Sequence, residues 1–304
     1  MKSFMLVNIL TNIVIFLISH FNLSIAQLLQ YEYFCFEILC LNRRVDTWHV
    51  SPNYNCIFVL VIIGDLMNSS TCVYHHGDQE LHGFLALGKG NTTPRPAVLV
   101  AHDWSGRNGF ACQKALMLSE MGYVEFAIDM YGKGINAEST DEKMTLMQPL
   151  MADRRMLGER IQAAFDTVAA MPEVDSDRIA AIGFCFGGLC VLDLARSGAH
   201  LKGVVSFHGL LSKPDHLAGK KIQAKVLALH GFDDPMVRPE DVTGFCQEMT
   251  EAKVDWQFHQ YGQVKHAFTN PLANDPVLGT VYNSRAEKRA FQTMGNFLNE
   301  IMQY

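Results

Sequence analysis

The sequence predicts an α/β fold, a doubly wound and mostly parallel sheet with helices on both faces. Three observations predict it. Short continuous apolar runs, such as Ala97 to Ala101 and Ile179 to Ile182, read as strands covered on both faces. Longer stretches between them carry apolar residues at helical spacing. The two kinds of segment alternate from Thr71 to the end of the chain, which is the pattern of repeated strand–helix–strand units.

Taken in order, Cys72 to Tyr74 and Glu80 to Leu87 read as a hairpin turning at His76-Gly77-Asp78. Residues 88–96 form a polar loop with Gly and Pro. Ala97 to Ala101 is the first doubly buried strand. Cys112 to Met121 is a helix ended by Gly122, and Val124 to Asp129 is the next strand, leading into an Asp-Met-Tyr-Gly loop. One long helical region is expected from Lys143 to Met171, crossing Pro149. Ile179 to Cys185 is a strand and Gly187 to Ser197 a helix. Gly203 to Phe207, Lys225 to His230 and Asp255 to Tyr261 are further strands, with a helix over Pro239 to Ala252. A last helix spans Asn283 to Met302, its stripe formed by Phe291, Met294, Phe297, Leu298 and Ile301. Residues 67–304 are expected to form one domain.

Residues 1–66 differ in kind. Lys2 precedes an apolar stretch from Phe4 to Ile18, and Ser24-Ile25-Ala26 has the form of a signal-peptidase site. The stretch is short and interrupted for a membrane span. Either it is a secretory signal or anchor, or residues 1–66 are a non-native extension and Met67 is the start. The first reading implies an exported or anchored protein, the second a cytoplasmic one.

The composition is 49% hydrophobic and 18% charged over 304 residues, with a net charge of −6. With no run of Lys and Arg, the chain offers no surface for nucleic acid. The eight cysteines include no CxxC pair or Cys/His knuckle, so neither a metal nor another cofactor is expected. Free thiols in a reducing compartment are the expectation for those after Cys56.

The chemistry is concentrated in Gly183-Phe184-Cys185-Phe186-Gly187-Gly188. It follows an apolar strand and opens a helix, which is the G-x-nucleophile-x-G elbow with cysteine as nucleophile. The chain must reverse sharply there, and side chains two residues either side of the apex would collide, so Gly183 and Gly187 leave room. The apex also sits at a helix N-terminus, where the dipole favours thiolate, and the Phe186 N–H points where an oxyanion would form. A buried structural cysteine is the plainer alternative, against which the spacing argues. Cys190 reads as core.

Elbow folds of this kind, the α/β-hydrolases, place the acid and then the base after the nucleophile. His230 to Val237 offers Asp234 at a strand end, with Asp233 as the alternative. His266 follows in the loop after the last strand, at the carboxyl edge where ligands bind in such sheets, and is suited to general-base work. His208 and His230 end strands nearby, and the other histidines read as ordinary. The loop His102-Asp103-Trp104-Ser105-Gly106 follows the first buried strand, where this fold draws its second oxyanion donor, here the Trp104 N–H. Asp103 is either a helix cap or a group tuning the thiol.

Together these residues resemble the dienelactone hydrolase (carboxymethylenebutenolidase) family over residues 71–302. The carrying pieces are the Gly-Phe-Cys-Phe-Gly-Gly elbow, Gly231-x-x-Asp234-Pro235-x-Val237 and His266-Ala267-Phe268. The resemblance implies a Cys185–Asp234–His266 triad, an oxyanion pair of Trp104 and Phe186, and hydrolysis of a small-molecule ester or lactone without metal or cofactor. Well-known members hold a glutamate where this chain has Asp103, and an arginine where it has Asn270. The resemblance therefore implies the chemistry rather than dienelactone as substrate. The non-enzymatic alternative is a binding or envelope-associated protein with an idle site, whose Cys185 would react like an ordinary thiol.

Overall fold

The computed structural model describes residues 69–88 and 94–303. The signal-like or extension segment, residues 1–66, lies outside the described residues, as does Met67. No described helix is long and apolar enough to cross a membrane.

The strands are β1 (Ser69–His76), β2 (Gln79–Leu87), β3 (Arg95–Ala101), β4 (Val124–Ala127), β5 (Val174–Phe184), β6 (Gly203–Phe207), β7 (Lys225–Gly231) and β8 (Trp256–Tyr261). They form one sheet in the order β1-β2-β4-β3-β5-β6-β7-β8. β1 pairs antiparallel with β2, and β2 antiparallel with β4. Every later pairing is parallel.

The apolar runs are continuous because both faces of the sheet are covered. In β3, Ala97, Leu99 and Ala101 enter one core while Val98 and Val100 enter the other. β5 and β7 divide the same way, Ile179 and Ala181 against Ala180 and Ile182, Val226 and Ala228 against Leu227 and Leu229. Helices α3 (Arg154–Ala169), α4 (Phe186–Arg196) and α5 (Pro239–Glu251) cover the first face, after α2 (Thr140–Ala152). Helices α1 (Gly109–Ser119) and α6 (Ser284–Met302) cover the second. Met294, Phe297, Leu298 and Ile301 of the expected α6 stripe are buried there, with Phe291 packed partly against them.

The structure corrects several boundaries. The single helix expected from Lys143 to Met171 is two, α2 and α3, parted at Asp153. That residue leaves the helical region (φ −117°, ψ 88°), and its carboxylate accepts hydrogen bonds from Arg155 N (3.0 Å) and Met156 N (3.1 Å). A capping aspartate one turn past Pro149 starts a new helix rather than continuing the old one. β5 begins at Val174 rather than Ile179, and it ends at Phe184, leaving Cys185 outside the strand. The hairpin turn is Gly77-Asp78, with His75 and His76 still paired in β1.

One core residue conflicts with its surroundings. Glu125 in β4 is fully buried, and neither carboxylate oxygen has a hydrogen-bond partner. Burial raises its pKa well above the usual carboxylate range. The unfolded chain ionises it near the ordinary value, whereas the folded chain keeps the proton. The folded state therefore binds more protons, and stability falls as pH rises from about 4.5 towards the raised pKa. Glu125→Gln is expected to be more stable than wild type in urea at pH 7.5. That advantage should vanish at pH 4, and an advantage independent of pH would contradict the assignment.

Candidate active site

Sheet order reverses at β3, whose successor β4 lies on one side and β5 on the other. Such a switch point opens a crevice at the carboxyl ends of the strands. Cys185 stands at the turn, as the elbow pattern predicts, one residue beyond the end of β5. It has φ +55° and ψ −115° and stands as the N-cap of α4 without a side-chain capping bond. A non-glycine residue in that region is strained, and its neighbours hold it there. Its N–H donates to Phe207 O at 3.0 Å, and its carbonyl accepts from Leu189 N at 3.3 Å. The two elbow glycines are required by contact. A Cβ on Gly183 would lie 2.0 Å from Gly187 O, and one on Gly187 would lie 2.2 Å from Ala101 O. Cys185 is half-buried, whereas Cys190 is buried as expected.

The exits of β7 and β8 are zipped together. Phe232 N donates to Tyr261 O and Asp233 N to Val264 O, both at 2.9 Å. Gly231 permits the close approach, since a Cβ there would meet Val264 O at 2.5 Å. This brings Asp234 Oδ2 to 2.7 Å from His266 Nδ1, both residues buried. Asp233, the sequence alternative, is exposed. The other Asp234 oxygen accepts from Met236 N at 2.8 Å. His266 is held by its own backbone too, donating to Gly279 O at 3.0 Å and accepting from Val281 N at 2.9 Å. Those partners lie beside and within the second strand of a small hairpin of β9 (Asn274–Asp275) and β10 (Thr280–Val281), which the sequence did not reveal.

His266 Nε2 is buried without a hydrogen bond of full geometry, yet the Cys185 sulfur lies within interaction range. Burial alone would lower the basicity of this imidazole. The nearby Cys185 sulfur, the hydrogen bond to Asp234 and the Asp234 charge outweigh burial and push its pKa up to about 10. A thiol and an imidazole so placed can exchange a proton, and the carboxylate behind fixes the ring.

His208 is closer to this group than its sequence position indicated. It takes φ +39° at the end of β6, and its ring stands edge-on to His266 with centroids 5.1 Å apart. Its Nε2 is 2.8 Å from Thr269 Oγ1. Burial, then the nearby His266 charge, hold its pKa well below that of an ordinary histidine. It is thus a neutral wall to the site. His230 is buried alongside, its ring against Phe258.

On the β3 side, the Trp104 N–H makes no hydrogen bond among the described residues. The Phe186 N–H lies in the first turn of α4, where helix geometry leaves donors unpaired. Asp103 does not cap the helix that follows. Asn108 does so, accepting from Ala111 N. One Asp103 oxygen instead accepts from Ser105 N at 2.8 Å, closing a tight turn. Asn270 likewise closes a turn by accepting from Leu272 N at 3.0 Å. Lys143 from α2 brings its ammonium 5.4 Å from the Trp104 ring centroid. Among the described residues no group of His, Cys, Asp and Glu is arranged to hold a metal ion.

A mostly parallel, eight-stranded sheet with a strained elbow at β5 and an Asp–His pair from the next loops is the architecture of an α/β-hydrolase. More narrowly, residues 81–302 match the model of the dienelactone hydrolase family, and the chain belongs to that family. It is a hydrolase of the ester- and lactone-cleaving kind. A solved dienelactone hydrolase-like promiscuous phosphotriesterase from metagenomic libraries is similar, with 37% identity and a TM-score of 0.73 over 77% of this chain and 98% of that one. An uncharacterised Caenorhabditis elegans protein is 34% identical over 147 residues, 47% of this chain and 93% of its own. A Bradyrhizobium protein described as "Probable 2-oxo-3-(5-oxofuran-2-ylidene)propanoate lactonase" is 27% identical, over 57% of this chain and 73% of its own.

Proposed function

We propose that the protein cleaves small-molecule carboxylic esters or lactones with Cys185 as nucleophile, His266 as general base and acid, and Asp234 as the group orienting His266. The observation that carries this reading is the arrangement at the elbow. A strained half-buried thiol faces an imidazole whose other nitrogen is bonded to a buried carboxylate at 2.7 Å. His266 takes the thiol proton, and the sulfur attacks the acyl carbon. The oxyanion is received by the Trp104 and Phe186 N–H groups. Collapse expels the alkoxide, which His266 protonates. Water then gives its proton to His266, attacks the thioester and releases the acid, and the proton returns to sulfur. No cofactor enters these steps. The named activity of the Bradyrhizobium relative favours lactones among the substrates to try. Asp103 remains the candidate for tuning the thiol. The free thiols at Cys72, Cys112, Cys185, Cys190 and Cys246 suit a reducing compartment, and a cytoplasmic location is part of the proposal.

The test is a panel of aryl esters, thioesters, unsaturated lactones and a phosphotriester. Wild type is expected to hydrolyse at least one ester or lactone. Asp234→Asn, which presents His266 with the wrong hydrogen-bond partner, should lose about 10³- to 10⁴-fold in kcat. No hydrolysis of any panel member, or full activity in Asp234→Asn, would overturn the reading.

A further inference from the structure

The N–H that receives an oxyanion is one end of a peptide plane, and its aim is set by what binds the carbonyl at the other end. For Trp104 that carbonyl belongs to Asp103. His102, at the end of β3, is wholly buried. Its Nδ1 lies 2.5 Å from Asp103 O, and its Nε2 lies 3.2 Å from Met130 N. The Met130 N–H can only donate, so Nε2 must accept and the proton must sit on Nδ1. Nδ1–H therefore donates to Asp103 O, within the peptide whose far end is the Trp104 N–H. Gly106 N adds a longer bond to the same oxygen, at 3.4 Å.

The next peptide is held as well. Tyr131 Oη–H donates to Trp104 O at 3.0 Å, so Trp104 is fixed at both of its peptide planes. Tyr131 is fixed in turn by Asp129, a buried carboxylate that accepts from the N–H groups of Tyr131 (3.0 Å), Gly132 (2.9 Å) and Gly134 (2.7 Å). The rings close the assembly. His102 packs on Tyr131 at 4.8 Å and on Phe186 at 6.1 Å, and Tyr131 stacks on Phe186 at 5.8 Å. Phe186 is the residue that carries the other oxyanion N–H. Burial lowers the His102 pKa, which keeps the neutral tautomer that these bonds require. A bond accepted at a carbonyl also polarises the N–H of the same peptide and strengthens it as a donor.

We infer that His102 and Tyr131 are positioning residues that aim the Trp104 N–H into the oxyanion site and tie it to Phe186. The inference rests on the thiol-hydrolase reading above and adds residues that touch no reacting atom.

The experiment compares two reactions of Cys185. Acyl transfer to an ester passes through an oxyanion, whereas alkylation by iodoacetamide does not. His102→Leu is expected to lower kcat on a p-nitrophenyl ester about 10- to 100-fold with KM nearly unchanged, within the range for a lost or misaimed oxyanion donor. Tyr131→Phe, which deletes one hydroxyl, should show the same split more weakly. His102→Asn, whose amide can donate from the place of Nδ1, should recover most of the loss. All three should alkylate at the wild-type rate with the wild-type pH profile. Unchanged kcat in both His102→Leu and Tyr131→Phe would overturn the inference. So would acyl transfer and alkylation falling together, since that marks a general disturbance of the site. Failure of the underlying reading shows separately, as a wild-type enzyme that alkylates yet hydrolyses nothing.

Discussion

Cys185→Ala is expected to abolish hydrolysis, lowering kcat/KM by at least about 10³-fold on every ester or lactone that wild type cleaves. The substitution removes the attacking atom and little else. The residue is half-buried, and alanine meets the same left-handed backbone requirement that cysteine already meets at φ +55°. Melting temperature should therefore move by only a few degrees, and the Asp234–His266 pair should remain. Mass spectrometry during turnover of a slow ester provides a second check. Wild type should carry an acyl adduct on the peptide containing Cys185, and Cys185→Ala should carry none. Retained turnover in Cys185→Ala, or an adduct on another residue, would sink the assignment. Thioesters hydrolyse slowly, so accumulation of the adduct is expected rather than incidental.

The second large effect is one of folding. Gly187→Ala adds a methyl group at a point 2.2 Å from Ala101 O and 2.5 Å from His102 O. Backbone carbonyls at the end of a central strand have no room to retreat in a close-packed interior. The expected result is a loss of several kcal/mol in denaturant unfolding, on the order of the largest single-site effects, together with loss of activity. Gly158→Ala provides the control. It lies inside α3, nothing stands within 4 Å of the added Cβ, and helix propensity favours alanine by about 1 kcal/mol. It should be neutral or stabilising. Equal behaviour of the two variants would show that contact at Gly187 is not what the elbow requires.

The elbow glycines, Gly183 and Gly187, show what was legible from residue order. The demand at Gly183 is local, because its collision with Gly187 occurs within one turn of chain, whereas Gly187 is confined by the Ala101 and His102 carbonyls on a strand distant in sequence. The alternation of apolar strands and amphipathic helices is local as well, so the doubly wound sheet was readable. Boundaries set by competition were less so. The break at Asp153 depends on a carboxylate preferring two N–H groups ahead of it over continuation of a helix, and periodicity is the same in either outcome. β5 extends back to Val174 because Arg95 in β3 pairs with it, and a polar stretch such as Asp175 to Arg178 carries no strand signal.

The site divides along the same line. The positions of the proposed nucleophile and base and the neighbourhood of the proposed acid were legible in the sequence itself, since each occupies a loop directly after an apolar strand and all such loops emerge at one edge of a parallel sheet. The choice of Asp234 over Asp233 was decided by tertiary structure. Adjacent residues leave a turn in different directions, and only the zipped exits of β7 and β8 determine which one reaches Nδ1 of His266. The same holds for His208 against His266 and for His102 against Phe186, which are 58 and 84 residues apart along the chain and close in space because the sheet stacks strand ends side by side. Residue order specifies which groups stand at the edge of the sheet. The pairing of strands and the aim of each peptide plane specify which of them touch, because hydrogen bonds act over about 3 Å and must be satisfied wherever water is excluded.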